Sequence, residues 1–118
     1  MSNSANRVVL STHDFYHFVD ISDILYCKSE NSYTTFHLID NKTITVSMSI
    51  KKVEEMMKTE EFVRSHQSFL INVNHIKSIH KTVDNQILLV NGDVIPISSR
   101  RKRSIIHFLS NLQRIQIP

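Results

Sequence analysis

Two polar clusters in this chain carry side chains suited to holding a polyanion. The first, Phe62-Val63-Arg64-Ser65-His66-Gln67-Ser68-Phe69-Leu70-Ile71-Asn72, joins a guanidinium, an imidazole, an amide and two hydroxyls to an apolar run. Polar tips at the mouth of a core segment can be held rigidly and aimed at a ligand. The second cluster, Ile97-Ser98-Ser99-Arg100-Arg101-Lys102-Arg103, concentrates four cations. Arg and Lys neutralise phosphates, and Arg, Asn and Gln read base edges through paired hydrogen bonds. The two clusters together point to nucleic-acid binding.

The charge distribution agrees. Residues 1–48 balance at −2 and residues 49–61 at −1, whereas residues 62–118 carry eight basic and two acidic side chains, a balance of +6. Such asymmetry is the footprint of a polyanion-binding face, and equally of a solvated basic helix. At 118 residues the chain reads as one domain with a modest core, residues 7–118, preceded by a disordered tail or linker remnant over 1–6. A single Gly leaves no room for a phosphate-cradling glycine loop. No membrane span or signal-peptide core is present, and one cysteine, Cys27, permits no intrachain disulfide. A cytoplasmic setting fits best.

The elements that must position these clusters are mainly β. Val8–Leu10, Phe15–Val19, Ile24–Lys28, Tyr33–Ile39 and Thr43–Val46 are rich in the β-branched and aromatic residues that suit a pleated, half-buried surface. Thr34, Phe36 and Leu38 alternate with Tyr33, Thr35 and His37, and Asp40-Asn41-Lys42 supplies a hairpin turn. Asn91-Gly92 joins Ile87–Val90 to Val94–Ile97 as a second hairpin. Two stretches have helical period. Ser49 caps a helix from Ile50 to about Lys58, with Ile50, Val53, Met56 and Met57 inward. A second helix starts after Ser98 or Ser99, with Ile105, Ile106, Leu109 and Leu112 inward. Cations in its first turn oppose the helix dipole, which makes sense if an anion docks at that end; otherwise the helix starts later and the basic residues are loop.

Several pieces in order and spacing resemble the LytTR-type DNA-binding domain. They are Ile24-Leu25-Tyr26 with Glu30-Asn31-Ser32-Tyr33, then Phe62 to Asn72 and Ile76, then Asn91-Gly92, then Ile95-Pro96-Ile97-Ser98-Ser99-Arg100-Arg101. The resemblance extends from Val19 to Leu109. It implies a mainly β fold of small packed antiparallel sheets with one or two short helices, and the output module of a bacterial response regulator. It implies recognition by three loops, two entering successive major grooves of bent DNA, with two copies on tandem repeats about one helical turn apart. One departure stands out: the family's usual Arg or Asn after the histidine is Gln67 here.

Candidate roles follow from this match. Arg100 corresponds to the family's base-contacting arginine, and its guanidinium can pair with guanine O6 and N7 for about 1–3 kcal/mol of discrimination. Asn31, Ser32 and Tyr33 correspond to the first loop, where Asn can read adenine and Tyr can touch phosphate or a thymine methyl; Tyr33 could instead place its ring in the core. His66, Gln67 and Ser68 correspond to the second loop, contacting phosphate and sugar, with His66 divided between contact and buried support. Arg64 is expected to pair with an acid or support that loop, and Asn72 to be a turn or a capping residue. Ser99 belongs with the third loop, and Arg101 and Arg103 are phosphate neutralisers there.

Other chemistries are weaker. His13 and His17 have i, i+4 spacing but sit in a β-leaning stretch without a Cys or Glu partner, so no metal or cofactor is expected. No G-x-S-x-G, H-E-x-x-H or P-loop pattern appears, which argues against an enzyme. The alternative is a basic β module binding RNA or a protein partner, disfavoured because the Phe residues fall mostly at core-like positions. The chain is therefore expected to bind double-stranded DNA, as a homodimer on DNA or as the output half of a longer chain with a receiver domain.

Overall fold

The computed structural model describes residues 6–57, 60–81, 86–112 and 115. Strands β1 (Arg7–Ser11) and β2 (Tyr16–Asp20) form an antiparallel hairpin. Next come β3 (Ile24–Glu30), β4 (Tyr33–Leu38), β5 (Thr43–Val46), helix α1 (Ile50–Met57), β6 (Phe62–His66) and β7 (Phe69–Asn72). These five strands pair antiparallel in the order β5-β4-β3-β7-β6. Strands β8 (Ile76–Ile79), β9 (Gln86–Leu89) and β10 (Val94–Pro96) form a third sheet, followed by helix α2 (Lys102–Ser110).

The five-stranded sheet is the middle layer, because period-2 alternation gives it two apolar faces. Cys27, Phe36, Leu38, Val46 and Leu70 pack on one side against Leu10 and Val19 of the hairpin and Ile50, Val53 and Met57 of α1. Leu25, Tyr26 and Ile71 pack on the other against Ile87, Leu89 and Ile95 of the three-stranded sheet. Leu25 and Tyr26 are adjacent yet share that second side. The β3–β4 register shifts between Ile24 and Tyr26, and such a bulge re-aims the strand by one residue. Each fully buried Leu or Ile contributes roughly 1.5–3 kcal/mol. Tyr26 adds a bond across the two sheets: its hydroxyl donates to Asp93 Oδ2 at 3.0 Å, and burial, then that bond and the Asp93 charge, push its pKa up to about 12. Cys27 is fully buried and burial alone pushes its thiol pKa up, as befits a small core residue.

The turns form where short polar residues accept left-handed backbone. Asp40 and Asn41 have φ of 64° and 59° between β4 and β5, and Gly92 has φ of 97° between β9 and β10. Ser49 Oγ accepts the Lys52 N–H at 3.2 Å, the expected cap of α1. Lys58, the expected end of that helix, lies outside the described residues. Three side chains depart from the expected inward stripes. Met56 is 58% exposed, because α1 docks through Ile50, Val53 and Met57 alone. Ile106 is 55% exposed, because α2 buries Ile105 and leaves Ile106 on an open groove lined by Ile79 and Ile97, and Leu112, 50% exposed, lies past the end of the helix at Ser110. Among the described residues no helix is long and apolar enough to cross a membrane.

Candidate nucleic-acid interface

Three turns gather at one end of the middle sheet. Strand β3 runs toward that end and closes through Asn31-Ser32 onto β4, with Glu30 opposite Tyr33. Asn31 takes φ of 56°, a conformation that Asn tolerates better than most residues. All three residues of Asn31–Tyr33 are exposed, and the Tyr33 ring is half-exposed, so it does not enter the core.

Strand β7 lies beside β3, with Lys28 opposite Phe69, so the β6–β7 turn at Gln67-Ser68 emerges at the same end. The two turns are joined directly: the Ser29 N–H donates to the Ser68 carbonyl at 2.9 Å. The segment from Phe62 to Asn72 is thus a hairpin of two strands, with the expected second loop at its turn. Its β6 strand was hidden by a bulge, since the register shifts between Arg64 and His66 and leaves Ser65 as the extra residue.

Arg64 supports this second turn from within. Its side chain is 9% exposed, donating from Nε to the His66 carbonyl at 3.0 Å and from a terminal nitrogen to the Gln67 carbonyl at 2.6 Å. The other terminal nitrogen meets Glu54 Oε1 of α1 at 2.7 Å. A planar fork satisfying three acceptors in fixed directions is a task for Arg rather than Lys. His66 is half-buried, and its Nδ1 accepts the Ser68 N–H at 3.0 Å, which assigns the ring proton to Nε2 in the neutral form. Gln67 projects into solvent. Asn72, fully buried, caps the following turn by accepting the Asn74 N–H at 3.0 Å and donates to the Ile24 carbonyl at 3.0 Å.

The bulge residue Ser65 holds the third segment. It is fully buried; its hydroxyl donates to the Pro96 carbonyl at 3.0 Å, and its own carbonyl accepts the Ser98 N–H at 2.9 Å. Ser98 then accepts the Arg101 N–H through its carbonyl at 3.1 Å and its hydroxyl at 3.3 Å, closing a turn over Ser99 and Arg100. Helix α2 starts after that turn, at Lys102, so Arg100 and Arg101 stand in the turn and Arg103 in the first helical turn. Ser99, Arg100 and Arg103 are exposed, and Arg101 is half-buried. The result is an end bearing three polar turns tied by backbone hydrogen bonds, the third leading through Arg100 and Arg101 into Lys102 and Arg103 at the start of α2. The alternation of β-type residues could not reveal Ser65, Glu54 or Lys28 as parts of this end, because their placement depends on the bulge and on strand order.

Comparison with known proteins agrees with this geometry. The family model described as the LytTr DNA-binding domain matches residues 14–110. The chain is 27% identical over 95 residues to the sensory transduction protein LytT of Bacillus subtilis, covering 79% of this chain and 39% of that one. It is 26% identical over 104 residues to the transcriptional regulatory protein LytR of Staphylococcus aureus, covering 76% of this chain and 42% of that one. The chain thus spans less than half the length of these relatives. A solved LytTr DNA-binding domain from Bacillus cereus superposes with a TM-score of 0.76 at 28% identity, covering 88% of this chain and 96% of that one. The family model and the solved domain agree, and the chain belongs to the LytTr DNA-binding domain family.

Proposed function

We propose that this chain recognises duplex DNA sequence-specifically as the output module of a bacterial transcription regulator. Three turns meet the duplex: Asn31–Tyr33, His66–Ser68 and Ser99–Arg101, with Arg103 beside the last. Arg100 reads a guanine edge, and Asn31 reads an adenine with Tyr33 at its flank. Gln67, Ser68 and the Nε2–H of His66 meet phosphate and sugar, while Arg101 and Arg103 neutralise phosphates. Contacts from turns on a rigid end favour a duplex that curves to meet them, and such bending costs about 1–6 kcal/mol. Residues 7–118 act as a single DNA-binding unit in the cytoplasm, two copies occupying tandem repeats, with a receiver domain in a longer regulator.

The observation that carries this reading is the convergence of three turns through two backbone bonds, Ser29 to Ser68 and Ser98 to Ser65. It gives basic and amide side chains a common, fixed frame. Binding-site selection from random duplexes should enrich a half-site repeated at about one helical turn. Arg100→Ala should erase the enrichment and leave salt-sensitive binding. No enriched sequence, or tighter binding of single-stranded RNA of equal length, would overturn the proposal.

A further inference from the structure

Antiparallel partners directly opposite each other share a sheet face. In the middle sheet one such row crosses every strand: Thr45 pairs with Thr35, Thr35 with Lys28, Lys28 with Phe69, and Phe69 with His66. At about 4.8 Å per strand the row spans roughly 19 Å, more than half a turn of B-DNA at about 34 Å. It lies on the face whose other end is covered by the three-stranded sheet through Tyr26 and Ile71. None of its five residues is buried. The row begins at the edge strand β5 and ends at His66, next to the Ser65 that holds the Arg100 turn.

Its chemistry is that of a phosphate track. Lys28 is its cation, lying 5.8 Å above the Phe69 ring and, among the described residues, in no ion pair with a carboxylate. The hydroxyls of Thr35 and Thr45 are 2.8 Å apart. In such a pair one hydroxyl donates to the other, so the acceptor's own proton is free to point outward. His66 ends the row with an Nε2–H donor, since its Nδ1 is occupied by the Ser68 amide. Two acids border the same face: Glu30, two pairs beyond the row at the hairpin tip, and Asp93 of the β9–β10 turn, which accepts the Tyr26 hydroxyl. We propose that Lys28, with the Thr35–Thr45 hydroxyl pair, contacts the DNA phosphate backbone and extends the interface from the turns onto the sheet face; this rests on the DNA-binding role proposed above.

The test is the salt dependence of duplex binding by the intact chain, read by fluorescence anisotropy at several sodium chloride concentrations. Each neutralised phosphate contributes about 0.9 to the slope of log affinity against log salt. Lys28→Gln should therefore flatten the slope by about 0.9 and weaken binding equally for a selected and a scrambled duplex. Lys51→Gln, on α1 against the opposite sheet face, should leave the slope as it is. An unchanged slope in Lys28→Gln, or an equal flattening in Lys51→Gln, would overturn the proposal. The comparison can be made on non-specific duplex, so a failure of sequence preference in the parent chain would count against the wider function without affecting this measurement. Thr35→Val, which keeps shape and removes the hydroxyl, should weaken binding without altering the slope, and unaltered affinity would remove the threonine pair from the track.

Discussion

Removing Arg64 should damage the domain twice, once in stability and once in affinity for DNA. The guanidinium makes three hydrogen bonds, two of them to the carbonyls of His66 and Gln67. Hydrogen bonds to a charged group contribute about 1.5–3 kcal/mol each when buried. The pair with Glu54 deserves less, because that carboxylate is 40% exposed and an exposed pair contributes roughly 0–1 kcal/mol. Arg64→Ala is therefore expected to cost about 3–4 kcal/mol, most of it from the two turn carbonyls. Lys in its place keeps the charge but cannot span three acceptors, so Arg64→Lys should cost about half as much. Glu54→Gln should cost about 1 kcal/mol or less. Urea unfolding followed by circular dichroism gives these differences from the shift in midpoint at constant slope. In the folded Arg64→Lys protein the turn is loosened, and duplex affinity should fall on the order of tenfold, equivalent to about 1.4 kcal/mol of lost preorganisation. An Arg64→Ala loss within about 0.5 kcal/mol of zero, the scatter of ordinary surface changes, would refute the reasoning. So would a Glu54→Gln loss as large, since the ion pair and not the turn would then be the dominant contact.

Three further outcomes follow from particular contacts. Ser65→Ala leaves the Pro96 carbonyl without its buried donor and should cost about 1–3 kcal/mol in urea unfolding, with a larger fall in specific than in non-specific DNA affinity. Equal falls would mean that Ser65 does not position the Arg100 turn. His37 stacks on Tyr26 at 4.3 Å, and burial lowers its pKa, with Lys28 adding to that and Asp93 opposing it. Below the ordinary value of about 6.5 the unfolded chain therefore binds this proton more readily than the folded one. Stability should fall as pH drops from about 6.5 toward the lower folded value, and His37→Gln should flatten that part of the pH profile; an unflattened profile would assign the effect elsewhere. Gly92→Ala meets no atom within 4 Å, so its cost is conformational alone, about 1 kcal/mol from the positive φ, and a thermal midpoint equal to the parent's would contradict this.

Local pattern revealed what local physics decides. The alternation of Thr34, Phe36 and Leu38 is the buried face of β4, the Ser49 cap starts α1, and Asn91-Gly92 turns the last hairpin. What the pattern concealed depends on contacts distant in sequence. Strand β6 was unreadable because Arg64 is a charged residue buried by a partner ten residues earlier and because Ser65 interrupts the alternation. Met56 and Ile106 fit an inward helical stripe, yet whether a stripe is buried depends on how much of it the neighbouring sheet reaches, and Leu112 lies beyond the end of α2. At the candidate interface, residue types pointed to the three turns, but not to what joins them. The Ser29–Ser68 and Ser65–Ser98 bonds exist because β3 lies beside β7 and β10 lies near β6, and strand order is invisible in composition.

The most direct measurement is a map of backbone amide shifts on titrating the nitrogen-15-labelled domain with its selected duplex. The largest changes are expected at Asn31–Tyr33, His66–Ser68 and Ser99–Arg103, with Lys28 and Thr35 following, while α1 and the β1–β2 hairpin stay still. Changes concentrated on α1 or that hairpin, with the three turns unmoved, would contradict the proposed interface.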